Sequence, residues 1–492
     1  MKTPEIPGLV LYPSSEAQTA EATYFVARRK NTNEKVLAVI GCAGAKILTG
    51  AEDLGQVGGK CAYAAPMNHA NAVAIRKVLP WTAPKTAGLA TSVGLGDRLG
   101  LATPGHIRAV RGSGLVPFLS QQSIREMTRT RRTADEVMDA ATWGVLQEGW
   151  REGFGSDADH LQKPEDINVT SAAGFTMFTI DPGAHVNNLA DTLDATELKA
   201  AFESLDSQTL GMSGADMMSL YTARPFKLEG GGEIAFDQAT LARAAVKYGR
   251  AVAHTVMMHQ HLSTTHAGAF ELEISVDETD SPTSPAEHYF FAAELARRGV
   301  KWVSLAPRFL GRFEKGVDYI GDLNEFRSAF VLHAAVMRTL GPYKISIHSG
   351  SDKFSVYPII AELTGGLVHL KTAGTSYLEA LRAIASIDPA LFREILDFAR
   401  GRYDTDKASY HVSAQVAKVP GASSLKDSDL AGLLEDFDAR QVLHCTFGSV
   451  LTADDGTKFR PRFYAALQRD EEVYYNVLEK HMKRHVSPFI TK

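Results

Sequence analysis

From about residue 86 onward the sequence repeats one pattern. A short β-like run is followed by a polar or glycine-rich loop, and then by an amphipathic helix with its own start signal. The runs are GLATSVGLGD (88–97), VPFLSQQS (116–123), SDADHLQ (156–162), FTMFTIDPG (175–183), FELEISVDE (270–278), KWVSLAPRF (301–309), KISIH (344–348) and GLVHLKTAG (366–374). Thr133 with Glu136, and Ser284 with Glu287, have capping-box spacing. Asp322 with Glu325 and Ser376 with Glu379 carry the same signal, and Pro104 and Pro164 stand where a first-turn proline is favoured. Eight strand-then-helix units in a row predict an α/β fold, a (βα)8 TIM-type barrel over residues 86–400. An open doubly wound sheet is the competing architecture. Residues 187–235 break the rhythm and read as a helical insertion after strand 4. Residues 1–85 and 401–492 read as N- and C-terminal extensions packed on the barrel.

In such a barrel the active site lies at the carboxyl ends of the strands. Side chains alternate along a strand, so the face opposite the aliphatic residues points inward. In the fifth run Phe270, Leu272, Ile274 and Val276 take the helix side, which turns Glu271, Glu273, Ser275 and Asp277 inward. By the same alternation His160, Asp181, Ser304, Arg308, His348, His369 and Lys371 point inward on their own strands. Two histidines and several carboxylates at one rim suit a divalent metal with an open position for substrate. A lone histidine is more often structural, and His369, which lies deeper, reads as a hydrogen-bonded core residue. The HQH stretch at 259–261 reads as a solvated helix face. Glu273 is costly to bury unpaired. It is either an ion pair with Lys344 or Lys371, or an acid/base group with a tuned pKa. Asp159 orients the site, acts as a base, or caps the next helix.

Arg308, Arg312, Lys315, Lys353 and Lys371 make this rim basic in a chain of net charge −5. That contrast points to an anionic substrate, a carboxylate or a phosphate, with salt-bridged surface as the plainer alternative. The overall charge argues against a nucleic-acid partner, and no apolar run approaches the roughly 18 residues of a membrane span. Cys42, Cys61 and Cys445 are far apart and form no C-x-x-C, so no disulfide framework is expected. With no signal-like N-terminal run, a cytoplasmic protein is the expectation. GLGDRLG (94–100) misses the dinucleotide spacing, and Walker A and G-x-S-x-G motifs do not occur. No nicotinamide is expected. The residues alone lead to a metal-dependent barrel enzyme acting on a small polar anion.

Four segments go further: GSDADHLQKPEDI (155–167), APRFLGRFEKGVDYIGDLNEF (306–326), KISIHSGSDKFSVYP (344–358) and GLVHLKTAGTSYLEALR (366–382). They resemble the tagaturonate epimerase family, and the resemblance runs over most of the chain. It implies a metal-dependent barrel enzyme that interconverts D-tagaturonate and D-fructuronate, some members also taking tagatose and fructose. It implies Asp159 as the base, Glu273 as the partner acid, and His160, His348 and Glu314 as metal ligands, with Asp181 the alternative to Glu314. Asp181, Arg308, Lys353 and Lys371 are the expected substrate-binding residues. The ion would be Mn, Ni, Co or Zn. Gln162 stands where a family lysine is expected, which puts a substrate contact there in question. The partner is then a small hexuronate or ketohexose, with neither nucleic acid nor membrane, and a homo-oligomer is compatible with this reading.

The two uronates differ at the carbon β to the ketone, whose hydrogen the ketone does not acidify. Retro-aldol cleavage and re-addition is therefore the expected route. An aldose–ketose isomerase built on a similar metal barrel, and a sugar-acid-binding protein without turnover, are the competing functions.

Overall fold

The structure is a computed structural model that describes residues 4–490. The first part of the chain forms an antiparallel sheet of six strands: β1 (Leu9–Leu11), β2 (Ala17–Gln18), β3 (Thr23–Arg29), β4 (Lys35–Ile40), β5 (Glu52–Val57) and β6 (Lys60–Pro66). Alternation gives β3 and β4 two apolar faces. Tyr24, Val26, Leu37 and Val39 pack with Ala72, Ile75, Trp143 and Leu146, whereas Phe25, Ala27, Val36 and Ala38 pack with Ile6 and Leu9. Glu471 ties this sheet to the last long helix, Glu471–Val486, lying 2.7 Å from both Arg28 and Lys35.

The expectation of no disulfide is overturned here. Cys42 and Cys61 are joined, with Cα atoms 5.4 Å apart. Pairing of β4 with β6 sets Ile40 opposite Ala62, and the Gly41 amide donates to the Cys61 carbonyl at 2.8 Å. Antiparallel register thus brings together two cysteines whose sequence spacing shows no motif.

The next strands are β7 (Ser92–Leu95), β8 (Val116–Ser123), β9 (Gly155–Leu161) and β10 (Met177–Ile180). After a two-stranded hairpin, β11 (Phe226–Lys227) with β12 (Glu233–Ile234), come β13 (Glu271–Val276), β14 (Ser304–Pro307), β15 (Lys344–Ile347) and β16 (Val368–Thr372). Apart from the hairpin these eight strands form a closed parallel barrel, in the order β7-β8-β9-β10-β13-β14-β15-β16 and back to β7. The doubly wound alternative is thereby ruled out. Six of the strands are shorter than their sequence runs, the first covering 92–95 rather than 88–97, whereas β8 fills its run of 116–123 and β9 is shifted by one residue. The chain divides into two compact units. One comprises the segments up to Lys85, Leu95–Ser156 and Ala373–Val486; the other comprises Thr86–Gly94, Asp157–Thr372 and the segment from Ser487.

Three of the four cap signals hold. Thr133/Glu136 and Ser284/Glu287 form capping boxes, and the Asp322 carboxylate accepts from the Asn324 and Glu325 amides. The fourth does not. The helix Thr375–Ile387 begins two residues earlier than a Ser376 cap would start it, the Ser376 hydroxyl donates to the Gly96 carbonyl at 2.7 Å, and Glu379 lies 3.3 Å from His481 as well as pairing with Arg382. Tertiary partners have claimed both side chains. The insertion between β10 and β13 contains the helices Ala195–Glu203, Ser207–Leu210 and Gly214–Thr222 and the hairpin, and ends in the helix Gln238–Thr265. The helix Pro389–Asp406 runs through residue 400. Among the described residues, no helix is long and apolar enough to cross a membrane.

Candidate active site

The site begins with a fault in β9. Along β10, Met177 pairs with Asp157 and Phe178 with Ala158, but Ile180 then pairs with Leu161. Asp159 and His160 therefore stand against one residue, Thr179, which is a β-bulge. His160 has φ 53°, in the left-handed region that side chains rarely adopt. In a regular strand, neighbours point to opposite faces. The bulge lets both residues serve one site, with Asp159 Oδ1 3.8 Å from His160 Nε2. Strain of this kind is held only where surrounding contacts over-determine it, and it clusters at functional positions.

Lys371, from β16, sits at the centre of a buried ionic cluster. Its ammonium lies 2.7 Å from Asp157, 2.7 Å from Asp159 and 2.6 Å from Glu273, and it donates to the Thr179 hydroxyl at 2.8 Å. Burial works against the charged ammonium, but the three carboxylates outweigh it and hold its pKa well above the usual lysine range. The carboxylates divide unequally. Burial and the charges on Asp159 and Glu273 push Asp157 up to about 7, against the pull of Lys371. Asp159 and Glu273 are also penalised by burial, yet nearby cations hold both below the usual carboxylate range. For Asp159 these are His160, Lys371 and His348; for Glu273, Lys371 and His348 come first.

Above this cluster each of two histidines leans on a carboxylate. His160 Nδ1 is 3.2 Å from Asp181 Oδ2, and His348 Nδ1 is 3.2 Å from Asp277 Oδ1. Asp181 is fixed in turn by Gln162 Nε2 at 3.0 Å and the Gly183 amide at 2.9 Å, and Asp277 by the Ser275 hydroxyl. His348 Nε2 also meets Glu273 Oε1 at 2.7 Å. The imidazole centroids are 5.0 Å apart in an edge-to-face arrangement. Burial opposes their protonation. Asp159 and Asp181 nevertheless raise His160 to about 10, and Asp277 and Glu273 raise His348 to about 9, despite repulsion from Lys371.

Donor atoms of Asp159, His160 and His348 lie within 4.8 Å of one another, and a second group joins His160 to Asp181 and the exposed Glu278. Two imidazoles and a carboxylate, with further carboxylates close behind, form a donor set suited to a divalent cation of the Mn-to-Zn series. The Nδ1–carboxylate couples orient both rings; the one with Asp181 leaves His160 Nε2 turned to the shared space, whereas His348 Nε2 meets Glu273.

Several expected residues sit elsewhere. Glu314 belongs to neither group; it is buried, with its carboxylate 3.3 Å from Arg312. Lys371 was expected to meet substrate, but its ammonium is spent on the carboxylate cluster. Lys353 was expected to do the same, yet it is fully buried and donates to three main-chain carbonyls. Asp181 holds His160 rather than facing substrate alone. Arg308 is half-buried at the end of β14, and among the described residues no hydrogen bond or ion pair engages its guanidinium. Sequence reasoning missed Asp157, Thr179 and the pairing of Asp277 with His348. The alternation of Asp157 with Asp159 in SDADH was the available signal for the first. His369 is buried, its Nδ1 2.9 Å from the Ser92 hydroxyl, which Lys344 also reaches at 3.0 Å.

The family model for tagaturonate epimerase matches residues 12–489. A tagaturonate/fructuronate epimerase of Thermotoga maritima is 48% identical over 419 residues, 85% of each chain. Crystal structures of fructuronate-tagaturonate epimerase UxaE from Cohnella laeviribosi, native and in complex with one glycerol, superpose with TM-score 0.92 at 36% identity. They cover 98% of this chain and 97% and 96% of their own.

Proposed function

Because the chain belongs to the tagaturonate epimerase family, we propose that it interconverts D-tagaturonate and D-fructuronate by breaking and remaking one carbon–carbon bond, with a divalent cation in the site. The observation that carries this reading is the bulge of β9, which brings Asp159 and His160 together beside His348. His160 and His348 would hold the ion, with Asp159 at the edge of the same space. A bound ion there would supply Lewis-acid polarisation of the ketone.

The residues do the rest. The Lys371 ammonium, 2.7 Å away, keeps the buried Asp159 ionised, so it can accept the proton of the β-hydroxyl. As the hydroxyl loses its proton, the α–β carbon–carbon bond breaks and its electron pair passes to the α carbon, giving an enediolate and an aldehyde. The aldehyde turns over, the α carbon adds to its other face, and the new alkoxide takes the proton back. Atoms and electrons balance without an external oxidant. Glu273, the expected acid, is held ionised by Lys371 and His348. Any proton it delivers is one it has first accepted.

Arg308 is the residue best suited to the uronate carboxylate, since its guanidinium is otherwise unengaged. Arg308→Gln is expected to raise KM for both uronates roughly ten- to a hundredfold, the worth of a charge-assisted contact of about 1.5–3 kcal/mol. Use of the neutral ketohexoses tagatose and fructose should be unaffected. Equal losses on both classes, read from steady-state kinetics, would make Arg308 structural.

The deciding experiment supplies cation-loaded protein with each uronate, unlabelled or labelled, and identifies the products. Retro-aldol chemistry predicts epimer formation without added nicotinamide. Deuterium at the inverted carbon should have only a small effect, and carbon-13 at the cleaved bond a measurable one when cleavage limits the rate. A large primary deuterium effect would refute this route. An aldose product would point to an isomerase, and binding without turnover to a binding protein.

A further inference from the structure

The loop after β14, residues 308–322, and the loop after β15, residues 348–356, are pinned together at several points. The first loop folds back on itself. Arg312 and Ile320 exchange main-chain hydrogen bonds at 2.9 and 3.2 Å, and Tyr319 packs against Phe313 and Phe326. Its tip is the turn Glu314–Val317, where Gly316 has φ 72°. The second loop follows His348 directly and is strained, with φ 49° at Ser349 and 64° at Asp352.

Lys353 bridges the two. Its side chain is wholly buried, and its Nζ donates to the carbonyls of Glu314 at 2.7 Å and Val317 across the gap, and of Ser351 at 2.9 Å in its own loop. An ammonium has three protons to donate, and these carbonyls take all three. Its main-chain amide meets the Tyr357 hydroxyl at 3.0 Å, and that hydroxyl donates to the Gly350 carbonyl. Two outer contacts run parallel to this one: Lys315 Nζ to Ser349 Oγ at 2.6 Å, and Ser355 Oγ to Asp318 at 2.9 Å. A buried ammonium is costly unless fully satisfied. Here it grips a turn that needs a glycine and a loop that holds unfavourable backbone angles immediately after His348.

We infer that Lys353 is a positioning residue: it clasps the sixth strand's loop to the seventh's, and so fixes the rim of the substrate pocket beside His348. This rests on the epimerase reading above and deepens it.

The test compares wild type with Lys353→Met, which keeps the stem and removes the ammonium. Substrate misplacement by about 1 Å costs on the order of a hundredfold. We expect kcat/KM for the uronates to fall about ten- to a hundredfold, mostly through KM. In the ligand-free protein, amide hydrogen exchange should quicken in residues 314–318 while the barrel strands stay protected. Loss of folded protein alone would lower apparent kcat and leave KM unmoved, and that result would overturn the inference. So would wild-type exchange and kinetics. Should Lys353→Met fail to fold, Lys315→Met breaks the outer contact to Ser349 and should shift KM and exchange in the same direction. Wild-type behaviour of Lys315→Met would then count against the clasp. The exchange measurement does not depend on turnover, so it judges the clasp even if the wild-type protein fails to epimerise uronates.

Discussion

Lys371→Met is expected to lose about 3–5 kcal/mol of stability, the usual cost of leaving buried charge without its partner, and to lose epimerase activity with it. The side chain is 3% exposed, and three carboxylates from two other strands lie within 2.7 Å of its ammonium. Methionine fills the same volume but neutralises none of them. The apparent midpoint of urea denaturation, followed by intrinsic fluorescence, measures the loss. Asp157, already raised by burial, is the carboxyl easiest to neutralise. Adding Asp157→Asn should therefore restore part of the stability. It should not restore activity, because Asp159 would still lack the cation that helps to keep it ionised. A midpoint for Lys371→Met within experimental error of wild type would mean that the cluster is already neutralised by other means.

His348→Ala is expected to lose bound cation and to lower kcat/KM by on the order of a thousandfold or more, as befits removal of several kcal/mol of charge stabilisation. His348 lies between Asp277 and Glu273 and faces His160. Elemental analysis after dialysis against Mn, Ni, Co or Zn should find stoichiometric ion in wild type and little in the variant. The variant should stay folded by circular dichroism. Stoichiometric ion in folded His348→Ala would remove this residue from the ligand set.

The barrel was legible because its strands carry long aliphatic faces and most of its helices carry caps that the structure uses. His348 follows a run of clear alternation, Lys344–Ile347, so its direction could be counted from the sequence. What alternation alone does not show is a change of phase. The bulge at Asp159–His160 breaks the two-residue period within β9, so a count that turns one of them inward turns the other outward. Ser376 failed as a cap because a tertiary acceptor, the Gly96 carbonyl, competes for its hydroxyl. Lys353 was misread for a related reason. A lysine beside a histidine at a rim looks like a substrate contact, and nothing in the sequence marks the main-chain carbonyls that bury it. Cys42 and Cys61 meet only through strand register, which spacing does not encode.

The ionic cluster draws its members from β9, β10, β13 and β16, so its parts are spread along the chain from Asp157 to Lys371. The strand that closes the ring beside β16 is β7, made near the start of the barrel. At the roughly 5–20 residues per second of protein synthesis, the interval between the first and last of these side chains is about 10–40 s. Throughout that time the nascent chain carries the carboxylates without the lysine that pairs them, and no early fragment can assemble the cation site. On the cation-dependent reading proposed above, loading of the ion would follow completion of the barrel, and starving cells of divalent cations is expected to leave a folded, fillable pool of protein rather than a misfolded one.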